Sequence, residues 1–253
     1  MYIRYNRIMQ VICKGIPIDY SEKGDGPTLL MVHGWGDSQQ TWQALSQILS
    51  ENFRCIMLDL PNFGNSGHSK QVATLETMSE ALAEFAYKLK LHDYIFLGHS
   101  MGGQLGIYAV GSGLLRPKKL VILAGAGIRG EQSLRNTVFK VAAKIAKPLV
   151  SQRLKSKIYR RVGSDYKPDL SSEQKLVIQS VLTKDVQIEA AMIGLPTLLV
   201  YGSLDTATPP RYGQMLHKII EGSQYRQLEG ADHWLHQTHP NDVAKLVQGF
   251  AGA

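Results

Sequence analysis

The sequence predicts an α/β domain: a mostly parallel sheet flanked by helices, with a helical cap inserted after the sixth strand. Three observations carry this. Apolar runs that read as buried strands alternate with helical patterns along most of the chain, as βα units do. From Ile128 to about Leu195 the alternation stops, leaving helical patterns and no convincing strand. Finally, "GHSMGG" (Gly98–Gly103) sets three glycines around Ser100 where a strand-like run meets a helical one.

The opening residues to about Tyr20 read as one or two short strands in an antiparallel hairpin, with Lys14-Gly15 as the turn. "PTLLMVHG" (Pro27–Gly34) and "CIMLDL" (Cys55–Leu60) are apolar enough for strands buried on both faces. Between them Trp42, Leu45, Ile48 and Leu49 recur at helical spacing, with Ser38 as N-cap. Leu75, Met78, Leu82, Phe85 and Leu89 form the apolar stripe of a helix over Thr74–Leu91, which Thr74 is placed to cap with Thr77 or Ser79 nearby. "YIFLGHS", a helix from about Met101, and "KLVILAGAG" (Lys119–Gly127) continue the pattern.

In the interruption Val138, Val141 or Ala142, Ile145 and Leu149 share a face, and Lys140, Lys144 and Lys147 lie largely off it. A helical insertion between parallel strands emerges at their carboxyl edge, where open α/β sheets hold ligands. The expected division is therefore a core of residues 1–127 and 196–253 and a cap, or lid, of residues 128–195. "PTLLVYGSLD" (Pro196–Asp205) resumes the strands, a helix with proline in its first turn follows, "QYRQLEGADH" is a last strand, and a helix from about Pro240 closes the chain.

At 253 residues, 44% apolar and 19% charged, the chain has ordinary globular composition and length enough for a large core. Cys13 and Cys55 stand alone, outside any CxxC or His/Cys grouping, so neither a disulfide framework nor a structural zinc is expected. Arg4, Asn6 and Arg7 interrupt the N-terminal apolar residues, and no run approaches the ~18 that a spanning helix needs, so a soluble, cytoplasmic protein is expected. Net charge is +7 and the isoelectric point about 9.3. The excess is local. Between Arg129 and Arg161 ten Lys and Arg face the single acid Glu131. No nucleic-acid reading motif accompanies them, so a solvated helix face is the plain reading; attraction of acidic substrates or of an anionic surface is the alternative.

A serine hydroxyl needs a neighbouring base, and the base a group that orients it. Gly98-x-Ser100-x-Gly102 fits a strand-to-helix elbow so sharp that the residues two before and two after the serine must lack bulk. The base is expected late in the chain at His233, and the orienting acid at Asp205, on a loop after an intervening strand. An oxyanion needs two backbone N–H donors: Met101, at the helix start, and Trp35, whose flanking glycines let the "VHGWG" loop turn inward.

"HGWG", "DLPNFGNS", "GHSMGG", "GSLDTATP" and "GADHWLHQTHP" together resemble the ordered motifs of the α/β-hydrolase superfamily, from about Ile16 to the C-terminus. The region leading out of the cap is similar to that of small bacterial carboxylesterases and meta-cleavage-product hydrolases. The resemblance implies a Ser100–His233–Asp205 triad, an acyl-enzyme intermediate and no cofactor; no metal-ligating residues are expected. Asn62 stands where many members have glycine, and asparagine tolerates the left-handed conformation that the turn requires.

His33 and His99 are expected to be structural, with His99 pointing away from Ser100. Asp232 is too close to His233 in the chain to curl back onto its ring. His236 and His239 belong to the loop and the start of the last helix, and Asp59 and Ser66 to a turn. Phe63 and Trp234 are candidates for lining a substrate pocket. The favoured function is hydrolysis of a small-molecule carboxylic ester. Carbon–carbon hydrolysis of a vinylogous diketone, perhydrolysis, and a non-catalytic binding protein on the same scaffold are the alternatives.

Overall fold

The structure is a computed structural model that describes residues 7–68, 73–128, 180–181 and 183–252. The expected cap helix bearing Val138, Val141 or Ala142, Ile145 and Leu149 falls outside these residues.

In chain order come β1 (Arg7–Cys13), β2 (Ile16–Lys23), β3 (Thr28–Val32), α1 (Gln43–Leu49), β4 (Arg54–Leu58), α2 (Leu75–Lys88), β5 (Tyr94–His99), α3 (Met101–Gly111) and β6 (Lys119–Leu123). After the undescribed stretch follow α4 (Gln187–Ala191), β7 (Thr197–Gly202), α5 (Pro210–Ile219), β8 (Gln224–Leu228), α6 (Leu235–Thr238) and α7 (Pro240–Gly252). The eight strands form one sheet in the order β1-β2-β4-β3-β5-β6-β7-β8. β3 to β8 are parallel, and β1 and β2 are antiparallel additions.

The hairpin turns where expected: Lys14 and Gly15 have φ of 51° and 75°, the pair of positive values that suits the twist of two joined strands. Ser38 caps a single 3-10 turn, Gln39–Trp42, which passes directly into α1. A reciprocal capping box of Thr74 and Thr77 starts α2, satisfying donors that the helix itself leaves open.

The sheet has a core on each side, which is why its strands read as continuous apolar runs. Leu30, Val32, Ile56, Leu58, Phe96, Ile122, Leu199 and Tyr201 share one core with α2, α3 and α5. Their neighbours in sequence, Leu29, Met31, Cys55, Met57, Leu97, Val121, Leu198 and Val200, face α1 and α7. Successive side chains alternate across a strand, so each run feeds both cores. Cys13 and Cys55 are free and buried. Among the described residues no helix is long and apolar enough to cross a membrane.

The chain leaves β3 for β4 on one side and returns to β5 on the other. Such a switch in direction opens a crevice at the carboxyl ends of the strands. The loops after β3 and β5 therefore meet there.

Candidate active site

The geometry begins with Ser100, between the last residue of β5 and the first of α3. Its backbone is held at φ 51° and ψ −113°, a conformation that non-glycine residues rarely adopt. Hydrogen bonds from its N–H to the Leu123 carbonyl (3.0 Å), and from the Gln104 (3.0 Å) and Ala126 (3.1 Å) N–H groups to its carbonyl, pin the turn. The flanking glycines are required mechanically. A Cβ on Gly98 would stand 2.5 Å from the Gly102 carbonyl oxygen, and one on Gly102 only 2.2 Å from that of Val32.

His233, in the loop between β8 and α6, brings Nε2 to 3.0 Å from Ser100 Oγ. Its Nδ1 lies 2.8 Å from Asp205 Oδ2. Asp205 follows β7 and is buried, and its Oδ1 accepts the N–H groups of Ala207 (2.8 Å) and Thr208 (2.9 Å). The structure thus brings together three residues from loops after β5, β7 and β8, with Ser100 and His233 133 positions apart in sequence.

The loop after β3 lies against the serine. A Cβ on Gly34 would fall 3.2 Å from Ser100 Cβ, and Gly36 takes φ 70° to turn the chain after Trp35. Met101 opens α3, so its N–H has no acceptor within the helix. The Trp35 ring packs edge-on against Phe63, with centroids 5.1 Å apart. Phe63 is buried and also meets the His33 ring, 5.6 Å away. Trp234 packs against His99 at 5.3 Å and His233 at 5.6 Å.

The remaining polar residues have distinct tasks. His33 is buried, with Nδ1 2.7 Å from the Gly34 carbonyl and Nε2 accepting the Leu60 N–H at 3.0 Å. Burial holds its pKa below the usual imidazole value. His99 is also buried and donates from Nε2 to the His233 carbonyl at 2.9 Å. Asp232 Oδ1 accepts from the N–H of Trp234 and the hydroxyl of Thr238, so it is engaged by residues at the two ends of α6 and not by the imidazole of its neighbour. Asp59 accepts the N–H groups of Gln39 (2.6 Å) and Asn65 (2.8 Å), while Ser66 Oγ joins the Asp59 carbonyl to the Asp19 N–H. Those two residues make a turn, as expected, and also tie it to β2. Asn62 adopts φ 71°, the left-handed conformation anticipated for it.

His236 departs from expectation. It is wholly buried on α6, its Nε2 2.7 Å from Thr41 Oγ1 and its ring 4.2 Å from that of His99. Burial, with His233 nearby, pushes its pKa down to about 3, and burial with His236 beside it lowers His99 well below its ordinary value. Two neutral imidazoles therefore support the third. Sequence reasoning also passed over Thr208, whose hydroxyl touches both Asp205 and His233. Among the described residues no three His, Cys, Asp or Glu side chains are grouped as a metal site requires.

Residues 29–246 match the model of the alpha/beta hydrolase family. The pimeloyl-[acyl-carrier protein] methyl ester esterase of Vibrio vulnificus is 26% identical over 259 residues, covering 93% of this chain and 98% of that protein. A hydrolase from Pseudomonas aeruginosa PA01 superposes with a TM-score of 0.75 at 21% identity, covering 97% of this chain and 98% of the other. A meta-cleavage product hydrolase from Pseudomonas fluorescens IP01 gives 0.73 at 17%, covering 96% and 97%. At such identities the two solved structures speak to the fold alone.

Proposed function

The chain belongs to the alpha/beta hydrolase family, and on that premise we propose that it is a serine esterase working through a Ser100–His233–Asp205 triad. The observation that carries the reading is the unbroken line of contacts from Ser100 Oγ to His233 Nε2 and from His233 Nδ1 to Asp205 Oδ2, at 3.0 and 2.8 Å.

His233 removes the hydroxyl proton as Oγ attacks the ester carbonyl, and Asp205 keeps the ring in the tautomer whose Nε2 is free to accept it. Negative charge then develops on the carbonyl oxygen. The N–H groups of Met101 and Trp35 are assigned to receive it, each donor being worth about 3 kcal/mol to the transition state. His233 returns the proton to the departing alkoxide, leaving an acyl group on Ser100. Water, activated by the same imidazole, releases the acid and restores the hydroxyl.

The carboxylic ester is favoured over carbon–carbon cleavage because the curated relatives are named as methyl ester esterases at similar length. The basic run between Arg129 and Arg161 supports an acyl group that carries negative charge, or a negatively charged carrier. Turnover of a short p-nitrophenyl ester by wild type and Ser100→Ala tests the chemistry. Rates on neutral and anionic esters at rising salt test the charge. Undiminished turnover by Ser100→Ala removes the reading.

A further inference from the structure

Thr208 Oγ1 sits where three groups converge. The Ala124 carbonyl oxygen and Asp205 Oδ2 are each 2.8 Å away, and His233 Nδ1 is 3.1 Å away. A hydroxyl carries one proton, so it serves only one of the two oxygens at a time. The other contact then sets lone pair against lone pair, and nothing in this buried position dilutes the conflict.

The two choices have opposite effects on the imidazole. Donation to Asp205 turns the positive end of the O–H dipole towards the ring and suits a neutral histidine. Donation to Ala124 leaves an Oγ1 lone pair facing Nδ1–H and suits an imidazolium, whose Nδ1–H binds Asp205 more strongly on its own account.

We propose that Thr208 is a positioning residue whose hydroxyl swings from Asp205 to the Ala124 carbonyl as His233 gains charge, supplying the imidazolium with a second acceptor. The proton never leaves Oγ1; only the O–H bond rotates. The inference rests on the reading of Ser100, His233 and Asp205 as a triad.

The other groups around the His233 ring do not duplicate this service. His99 and His236 are imidazoles that burial keeps neutral, and Asp232 is occupied with Trp234 and Thr238. Asp205 is the anion in direct contact with Nδ1.

The test uses Thr208→Val, similar in shape but without the hydroxyl, Thr208→Ala should valine not be accommodated, and Thr208→Ser, which keeps the hydroxyl. The pH profile of kcat/KM is followed with p-nitrophenyl acetate, beside Ser100→Ala. Losing the second acceptor destabilises the imidazolium. The acid limb for Thr208→Val and Thr208→Ala then moves to lower pH by about half a unit, kcat falls about fivefold with KM little altered, and Thr208→Ser restores both. An unmoved limb overturns the inference, as does one moved to higher pH, which is the outcome for a hydroxyl that serves Asp205 alone. Ser100→Ala separates the failures: if it keeps wild-type turnover the triad reading falls, and if it is inactive while Thr208→Val is unaltered, only the role of Thr208 falls.

Discussion

His99 Nε2 donates to the carbonyl oxygen of His233 at 2.9 Å, so the residue before Ser100 holds the backbone of the residue that faces Ser100. Its ring also lies against that of His233, with centroids 4.8 Å apart. Serine and imidazole are thereby both referenced to His99, the last residue of β5.

Replacing His99 by leucine keeps the apolar contacts and deletes this donor. The loop carrying His233 then loses its anchor, and small displacements of a proton-transfer partner are expensive. We expect kcat to fall about tenfold or more, with KM changing far less. Steady-state kinetics on a p-nitrophenyl ester provide the check, and an unaltered kcat counts against the anchor.

Asp205→Asn is isosteric but presents an amide to His233 Nδ1. The ring is then free to adopt the tautomer with its proton on Nε2, facing Ser100 with a donor and no acceptor. Turnover should drop by about 10³ to 10⁴, while substrate affinity is largely kept. Single-turnover kinetics distinguish this from a folding defect, which instead lowers the fraction of active sites.

Two glycine-to-alanine changes should behave differently. At Gly102 a Cβ meets the Val32 and His33 carbonyl oxygens at 2.2 and 2.6 Å, backbone atoms of the central strand and its loop that have little room to move. Gly102→Ala should destabilise by about 3 kcal/mol. At Gly36 no atom lies within 4 Å of the added carbon, and only the positive φ resists it, so Gly36→Ala should lose about 1 kcal/mol. Urea denaturation ranks the pair, and equal losses contradict the account.

Stability should fall on acidification before most carboxylates titrate. His236 has a folded pKa of about 3, and His99 is also held far below its ordinary value, whereas both titrate near 6.5 in an unfolded chain. A depressed imidazole pKa means that the unfolded state binds the extra proton. The stabilising contribution is complete above about pH 6.5 and is lost progressively as pH falls towards 3, at about 1.4 kcal/mol per pH unit for each ring. Unfolding midpoints in urea at pH 7 and pH 5 measure the slope. His236→Phe should make it shallower by about one ring's share.

The parts of the molecule that were legible in the sequence share a cause: each leaves a local mark. Apolar runs mark strands that feed two cores, Thr74 and Thr77 mark a helix start, and the glycines at 98 and 102 mark backbone pressed against backbone. His236 left no such mark, because its polar partner, Thr41, is 195 residues away and its neighbouring ring, His99, lies at the end of β5. A histidine four residues before a helix-starting proline reads as a loop residue until α6 turns it inwards. Thr208 was obscured for a related reason. Three residues after an aspartate, a threonine looks like turn chemistry, which its N–H does perform, while the task of its hydroxyl depends on Ala124, just past the end of β6.

The order of the strands also divides the site unequally. Ser100 and the loop of Trp35 end the central strands β5 and β3, and every residue of β5 is buried. His233 instead follows β8, the outermost strand, where Gln224, Arg226 and Gln227 face solvent. Strands at a sheet margin open at lower free energy than those at its centre. On warming, the loop carrying His233 is therefore expected to loosen before the Ser100 turn does, so that activity is lost below the temperature at which the sheet unfolds. A comparison of the activity loss with the far-UV unfolding curve on heating checks this.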